Sequence, residues 1–199
     1  MRGMKSEMES SQMLIDRYLP TYDVRDYHEK QVAASANSAY TALRSIDLNR
    51  SWVVRALFMI RSLPSRLFGG GFPPATSGTL LEQALAVGWV ILEEIPGQEL
   101  VAGAVTQPWV AEVKFQGLAP AEFINFSNPG FTKIVFSIAA RAVTPRESVL
   151  SMETRVLATD PVSRRKFQLY WLVVSTGVRL IRVIALNTAR RQLEAAHAV

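Results

Sequence analysis

The chain contains no cysteine, which removes disulfides, thiolate metal sites, thiol nucleophiles and redox switching from the chemistries open to it. Histidine is nearly as scarce. His28 and His197 stand far apart and have no cysteines to complete a zinc or iron set, so neither a metal nor a cofactor is expected. No serine–histidine–acid pattern accompanies His28, which reads as an exposed strand residue. The glycines of "FGGGFPPATSG" (68–78) lack the Lys-Ser/Thr and the preceding strand that a phosphate-cradling loop needs, and read as a connection. A long uninterrupted apolar run is missing too. The N-terminal "MRGMKSEMESSQ" has basic residues but no apolar stretch behind them, so it is not a secretory signal. Residues 1–13 read as a polar tail, and a cytoplasmic setting fits.

The balance of charge is basic, +5 overall, yet Arg25, Arg44, Arg55, Arg61, Arg141 and Arg155 are scattered along the chain. No recognition-helix or RNP-type motif accompanies them, so nucleic acid is not an expected partner. Hydrophobic residues make up 49% of the sequence and charged ones 20%, which suits one well-cored domain over residues 14–195.

Residues 24–32, "VRDYHEKQV", read as a partly exposed strand. Residues 35–46 read as a short helix capped by Ser35, and residues 49–63 as a second, with Trp52, Ala56, Met59 and Leu63 on its inner stripe. The period then changes from helical to alternating. Apolar segments flanking Pro96-Gly97-Gln98 predict a β-hairpin over 85–106, and those flanking Pro145-Arg146-Glu147 a second over 131–159.

The last segment predicts a helix over 161–195, with Asp160 as N-cap and Pro161 at the first helical position. At about 100° per residue, Phe167, Tyr170, Trp171, Val174, Val178, Ile181 and Ala185 share one face. Leu169, Leu172, Val173, Leu180, Val183 and Ile184 share the opposite one, and Arg164, Gln168, Ser175, Arg179 and Arg182 lie between. A membrane span would bury Arg179 and Arg182 at a cost of about 2.5–3.5 kcal/mol each, and the longest unbroken apolar run is only 169–174. The helix is therefore expected to lie on the sheet through its aromatic face. Its second face calls for a cover: the 49–63 helix, another subunit, or a membrane surface.

This element order, an α+β chain with one strand, two short helices, antiparallel strands and a long C-terminal helix, resembles the START-like helix-grip superfamily (SRPBCC, Bet v 1-like). The stretches "PGQELVAGAVTQPW" (96–109), "FINFSNPGFTKIVFS" (123–137) and "LSMETRVLATDPVSRRKFQLYW" (150–171) look like parts of its bacterial members. The resemblance covers roughly residues 14 to 195 and implies a curved antiparallel sheet wrapped around the long helix. It also implies an apolar cavity between them for a lipid, polyketide or aromatic molecule.

Against that expectation the pocket residues are Trp89, Trp109, Phe123, Phe126, Phe136, Met152, Glu153, Arg155, Tyr170, Trp171 and Val174. Each aromatic also suits plain core filling. Glu153 and Arg155 share a strand face and form a natural ion pair, either structural or aimed at a ligand's polar end, with Leu150, Met152, Thr154 and Val156 on the other face. Glu93 and Glu94 point to opposite faces and cannot act together. Arg164, Arg165 and Lys166 crowd the positive end of the helix dipole and read first as a solvated basic patch, the alternative being compensation by an acid such as Glu153 or by a bound anion. Binding of a hydrophobic or amphipathic small molecule is the leading expectation. Its alternatives are a cyclase or hydrolase using Glu153, Arg155 or Tyr170, and a ligand-free homodimer through the last helix.

Overall fold

A computed structural model describes residues 13–47, 78–110 and 112–197. The expected tail up to residue 12, the 49–63 helix and most of the glycine-rich connection lie outside the described residues. Within them the order is α1 (Leu14–Tyr18), β1 (Val24–Val32), α2 (Ala36–Arg44), α3 (Leu80–Ala86), β2 (Val90–Ile95) and β3 (Glu99–Thr106). It continues with β4 (Phe115–Gln116), α4 (Pro120–Asn125), β5 (Thr132–Thr144), β6 (Glu147–Ala158) and α5 (Pro161–His197). One antiparallel sheet runs β1-β6-β5-β3-β2, with β4 paired to the end of β3. With α5 laid across it, this is the helix-grip arrangement.

Both hairpins turn where Pro96-Gly97-Gln98 and Pro145-Arg146-Glu147 predict. The first begins later than expected, because Leu85 and Ala86 close a short helix. Thr79 and Glu82 start that helix with a reciprocal capping box. Gly88 ends it at φ +106, and a Cβ there would stand 2.3 Å from the Phe115 carbonyl oxygen. A left-handed position against backbone tolerates only glycine. Gly88→Ala is expected to cost about 1–3 kcal/mol, read as a lower urea midpoint with an unchanged m-value.

Both faces of the sheet are covered. On one, Leu100, Ala102, Ile138, Ala140, Leu150 and Met152 pack against α2, α3 and the C-terminal half of α5. On the other, Val101, Val105 and Val135 meet α1, α4 and the fully buried Phe123. Glu99 holds α1 there by accepting hydrogen bonds from the Leu14 and Ile15 amides at 2.8 and 3.4 Å. That is a carboxylate on a helix N-terminus.

Asp160 caps α5 as the sequence predicts, accepting from the Val162 and Ser163 amides, the Ser163 hydroxyl and the Gly130 amide. These hydrogen bonds hold its carboxyl well below the usual range. Burial opposes the Glu94 charge, but hydrogen bonds from Tyr40 and Arg44 outweigh it and pull Glu94 down too. Glu99 goes the other way: burial, helped by Asp16 and Glu153, raises it in spite of its two amide donors.

The signs set the pH profile. The contributions of Asp160 and Glu94 are complete above the ordinary values of 3.8 and 4.5 and are lost as pH falls below them. That of Glu99, whose value is raised, is complete below 4.5 and is lost as pH rises above it. The melting temperature should therefore hold or rise slightly as pH falls from 7 to about 5, and drop steeply below about 4. Glu99→Gln should remove the rise.

Candidate functional site

Helix α5 is pinned at both ends and stands off in the middle. At its start Ser163 and Phe167 are buried, and towards its end Ala185, Leu186, Ala189 and Leu193 are. Between these anchors Tyr170, Trp171, Val174, Val178 and Ile181, all on the face turned to the sheet, are only half-buried. This middle stretch spans about 17 Å at 1.5 Å per residue.

The sheet opposite it has the same partial exposure. Strand register sets Ile91, Ala102, Phe136, Thr154 and Asp26 side by side in one row across five strands. Ala102 and Asp26 are buried, whereas Ile91, Phe136 and Thr154 keep accessible area. So does Ile134, two residues along β5. Trp89 leans over this floor, its ring 5.4 Å from Phe136 edge-on and 5.6 Å from Phe115. Trp89, Ile91, Phe136 and Ile181 border the α5-side core and pack against it, yet keep accessible area that a sealed, close-packed interior would not leave.

At the β1 edge the floor turns polar. Asp26, His28 and Lys30 alternate on the α5 side of β1, opposite Thr154, Met152 and Leu150. Asp26 accepts a hydrogen bond from the Arg182 guanidinium of α5, and both residues are buried. Burial pulls Arg182 down to about 10, still charged at neutral pH and facing the Asp26 carboxylate. The His28 Nε2 lies 3.0 Å from the other Asp26 oxygen, though without hydrogen-bond geometry, and is buried without a hydrogen-bond partner. The exposed histidine read from the sequence is thus half-buried and turned inward.

The other residues expected to line a pocket divide between the two faces. Trp89, Phe136, Met152, Tyr170, Trp171 and Val174 lie on the α5 side of the sheet; Met152 is buried under the α5 anchor. Trp109 is half-buried near the start of α5, with the Lys166 ammonium 6.0 Å from its ring centre. Phe123 and Phe126 belong to the opposite core beneath α1. Glu153 and Arg155 lie on that opposite face as well.

Glu153 and Arg155 do form the expected ion pair, at 2.6 Å, but within a structural network. Arg155 also binds Asp16 at 2.7 Å and the Leu19 carbonyl at 3.0 Å, and Arg25 binds Glu153 at 2.7 Å. Burial opposes the Arg155 charge, yet the Glu153 and Asp16 hydrogen bonds outweigh it and raise the guanidinium above its usual range. The sheet separates this pair from Tyr170. Arg164 is compensated by Asp23 at 2.7 Å, not by Glu153. Glu93 and Glu94 do point apart, to Arg17 and Tyr18 on one face and to Tyr40 and Arg44 on the other.

No protein-family model and no curated protein matches the chain. Among solved structures, norcoclaurine synthase from Thalictrum flavum in complex with dopamine and hydroxybenzaldehyde aligns at 16% identity and a TM-score of 0.35, over 94% of each chain. The Zhui aromatase/cyclase from Streptomyces sp. R1128 aligns at 15% and 0.27, over 86% of this chain and 93% of that one. The di-domain aromatase/cyclase BexL of the BE-7585A biosynthetic pathway aligns at 15% and 0.30, over 86% of this chain and 46% of that one.

Proposed function

We propose that a gap lies between the sheet and the middle of α5 and that the chain binds a hydrophobic or amphipathic small molecule there. The observation that carries this reading is the matched half-burial of two apolar walls, Trp89, Ile91, Ile134 and Phe136 below and Trp171, Val174, Val178 and Ile181 above. A pocket of this kind gains affinity from apolar burial and orientation from a few polar groups. The apolar body would lie on Phe136 and Trp89. The polar end would point to the β1 edge, where the Thr154 hydroxyl and the His28 imidazole are within the same face of the sheet.

An aromatic anion such as 1-anilinonaphthalene-8-sulfonate is a suitable probe, because it has both a flat apolar body and a charged end. Titration followed by fluorescence should saturate at one site. Thr154→Trp, which puts an indole into the gap, should weaken that binding about tenfold or more through lost apolar contact. Leu172→Ser on the outside of α5 should leave it unchanged. Equal affinity for the protein and Thr154→Trp, with both folded by circular dichroism, would overturn the reading.

A further inference from the structure

The outer side of α5 carries a second feature, independent of the gap. Leu169, Leu172 and Val173 are 69%, 76% and 82% exposed, and Leu180 and Val183 are 40% and 42% exposed. With Thr176 they form one stripe about 100° wide that runs about 21 Å along the helix. Exposed aliphatic side chains lined up in this way mark a contact surface.

Its charge is of one sign. From Pro161 to Leu193 the helix has no acidic residue. Arg165 and Lys166 lie in line with the stripe at one end and Arg191 at the other, with Arg179 beside it, all exposed. Arg164 and Arg190 have acidic partners in Asp23 and Glu194, and Arg182 is turned inward to Asp26.

We infer that this stripe docks on an anionic lipid surface, with α5 lying in the plane of the headgroups. Aliphatic residues framed by cations are what an interfacial helix needs: the first enter the acyl boundary and the second meet the lipid charge. A second copy of the chain fits the surface less well. A two-fold contact through the stripe would bring cations against apolar residues or other cations, with no acid on it to pair them. By length and composition α5 could also cross a bilayer, but Phe167, Arg182, Ala185, Leu186 and Ala189 fasten its inner side to the domain. That favours lying on the membrane over spanning it.

The test is flotation of the full chain with phosphatidylcholine vesicles, with and without phosphatidylglycerol. Binding is expected only with phosphatidylglycerol and should fade as salt is added. Arg165→Gln with Lys166→Gln should weaken it about fivefold per cation removed, and Leu172→Ser with Val173→Ser about tenfold or more. These side chains are exposed, so thermal melts of both variants should match that of the parent. Failure to float with either lipid, or equal flotation with both, would overturn the inference. So would a concentration-dependent dimer in sedimentation that the serine pair abolishes, because the stripe would then belong to a second copy.

Discussion

Replacing Arg182 with methionine is expected to destabilise the fold by about 3–5 kcal/mol, the usual loss when one partner of a buried ion pair is removed. The loss arises at Asp26. Its carboxylate is 7% exposed and has Arg182 as its guanidinium donor; without that donor it must keep an uncompensated charge in an apolar setting or take up a proton. Asp26→Leu alone should cost a comparable amount by stranding Arg182. The double replacement should recover most of the loss, because two apolar side chains of similar volume can pack where two opposite charges stood. A double-mutant cycle by urea unfolding checks this. Coupling of about 2 kcal/mol or more is expected; simple addition of the two losses would mean that the residues are not partners. The pair also fastens α5 to the β1 edge where the half-buried middle stretch gives way to the C-terminal anchor, so a probe in the proposed gap should bind less tightly to Arg182→Met even where that variant is fully folded.

The second large effect is expected on the opposite face. Arg155→Leu should cost about 3 kcal/mol or more, since it frees Asp16 and the Leu19 carbonyl and leaves the 2%-exposed Glu153 with Arg25 alone. Arg155→Lys should recover little, because one ammonium cannot reach three acceptors that a planar fork reaches together. Glu153→Gln should be milder, as Arg155 keeps Asp16. Urea unfolding measures all three. None of them should change probe affinity under folding conditions, because the sheet lies between these residues and the gap. A selective loss of binding by Glu153→Gln would place this pair in the site after all.

Much of the fold was legible because its elements are long and regular. Strand β1 begins and ends at Val24 and Val32 as read, and Ser35 accepts from the Ser38 amide at the start of α2. Asp160-Pro161 opens the last helix, whose two apolar faces separate inner from outer side chains as its 3.6-residue period predicts, except that Ile184, read on the outer face, packs against the core beside the C-terminal anchor. Helices α1 and α4 are five and six residues long, too short to show a period. Helix α3 did leave a trace, the "TLLE" of its capping box at 79–82.

The site was less legible, for a physical reason. Alternation in β6 tells two faces apart but cannot say which one meets α5, because both are covered here and both carry buried residues. Glu153 and Arg155 were therefore grouped with residues that the sheet holds apart from them, and Phe123 and Phe126 likewise, because α4 is too short to tell which face it covers. Strand β1 hid Asp26 and His28 for the opposite reason: polar residues stand on both of its faces. Arg182 carried a usable signal, lying four residues after Val178 and four before Leu186. That places it on the inner face, where a lone arginine needs a buried acid.

The most direct test of a gap beneath α5 is a methyl and aromatic NMR titration of the chain with 1-anilinonaphthalene-8-sulfonate. Saturable shifts are expected for Trp89, Ile91, Ile134, Phe136, Val174 and Val178, with Leu172 and Val173 unmoved. Shifts confined to Leu169, Leu172 and Val173, or no saturable shift among residues of the floor, would contradict a binding space between helix and sheet.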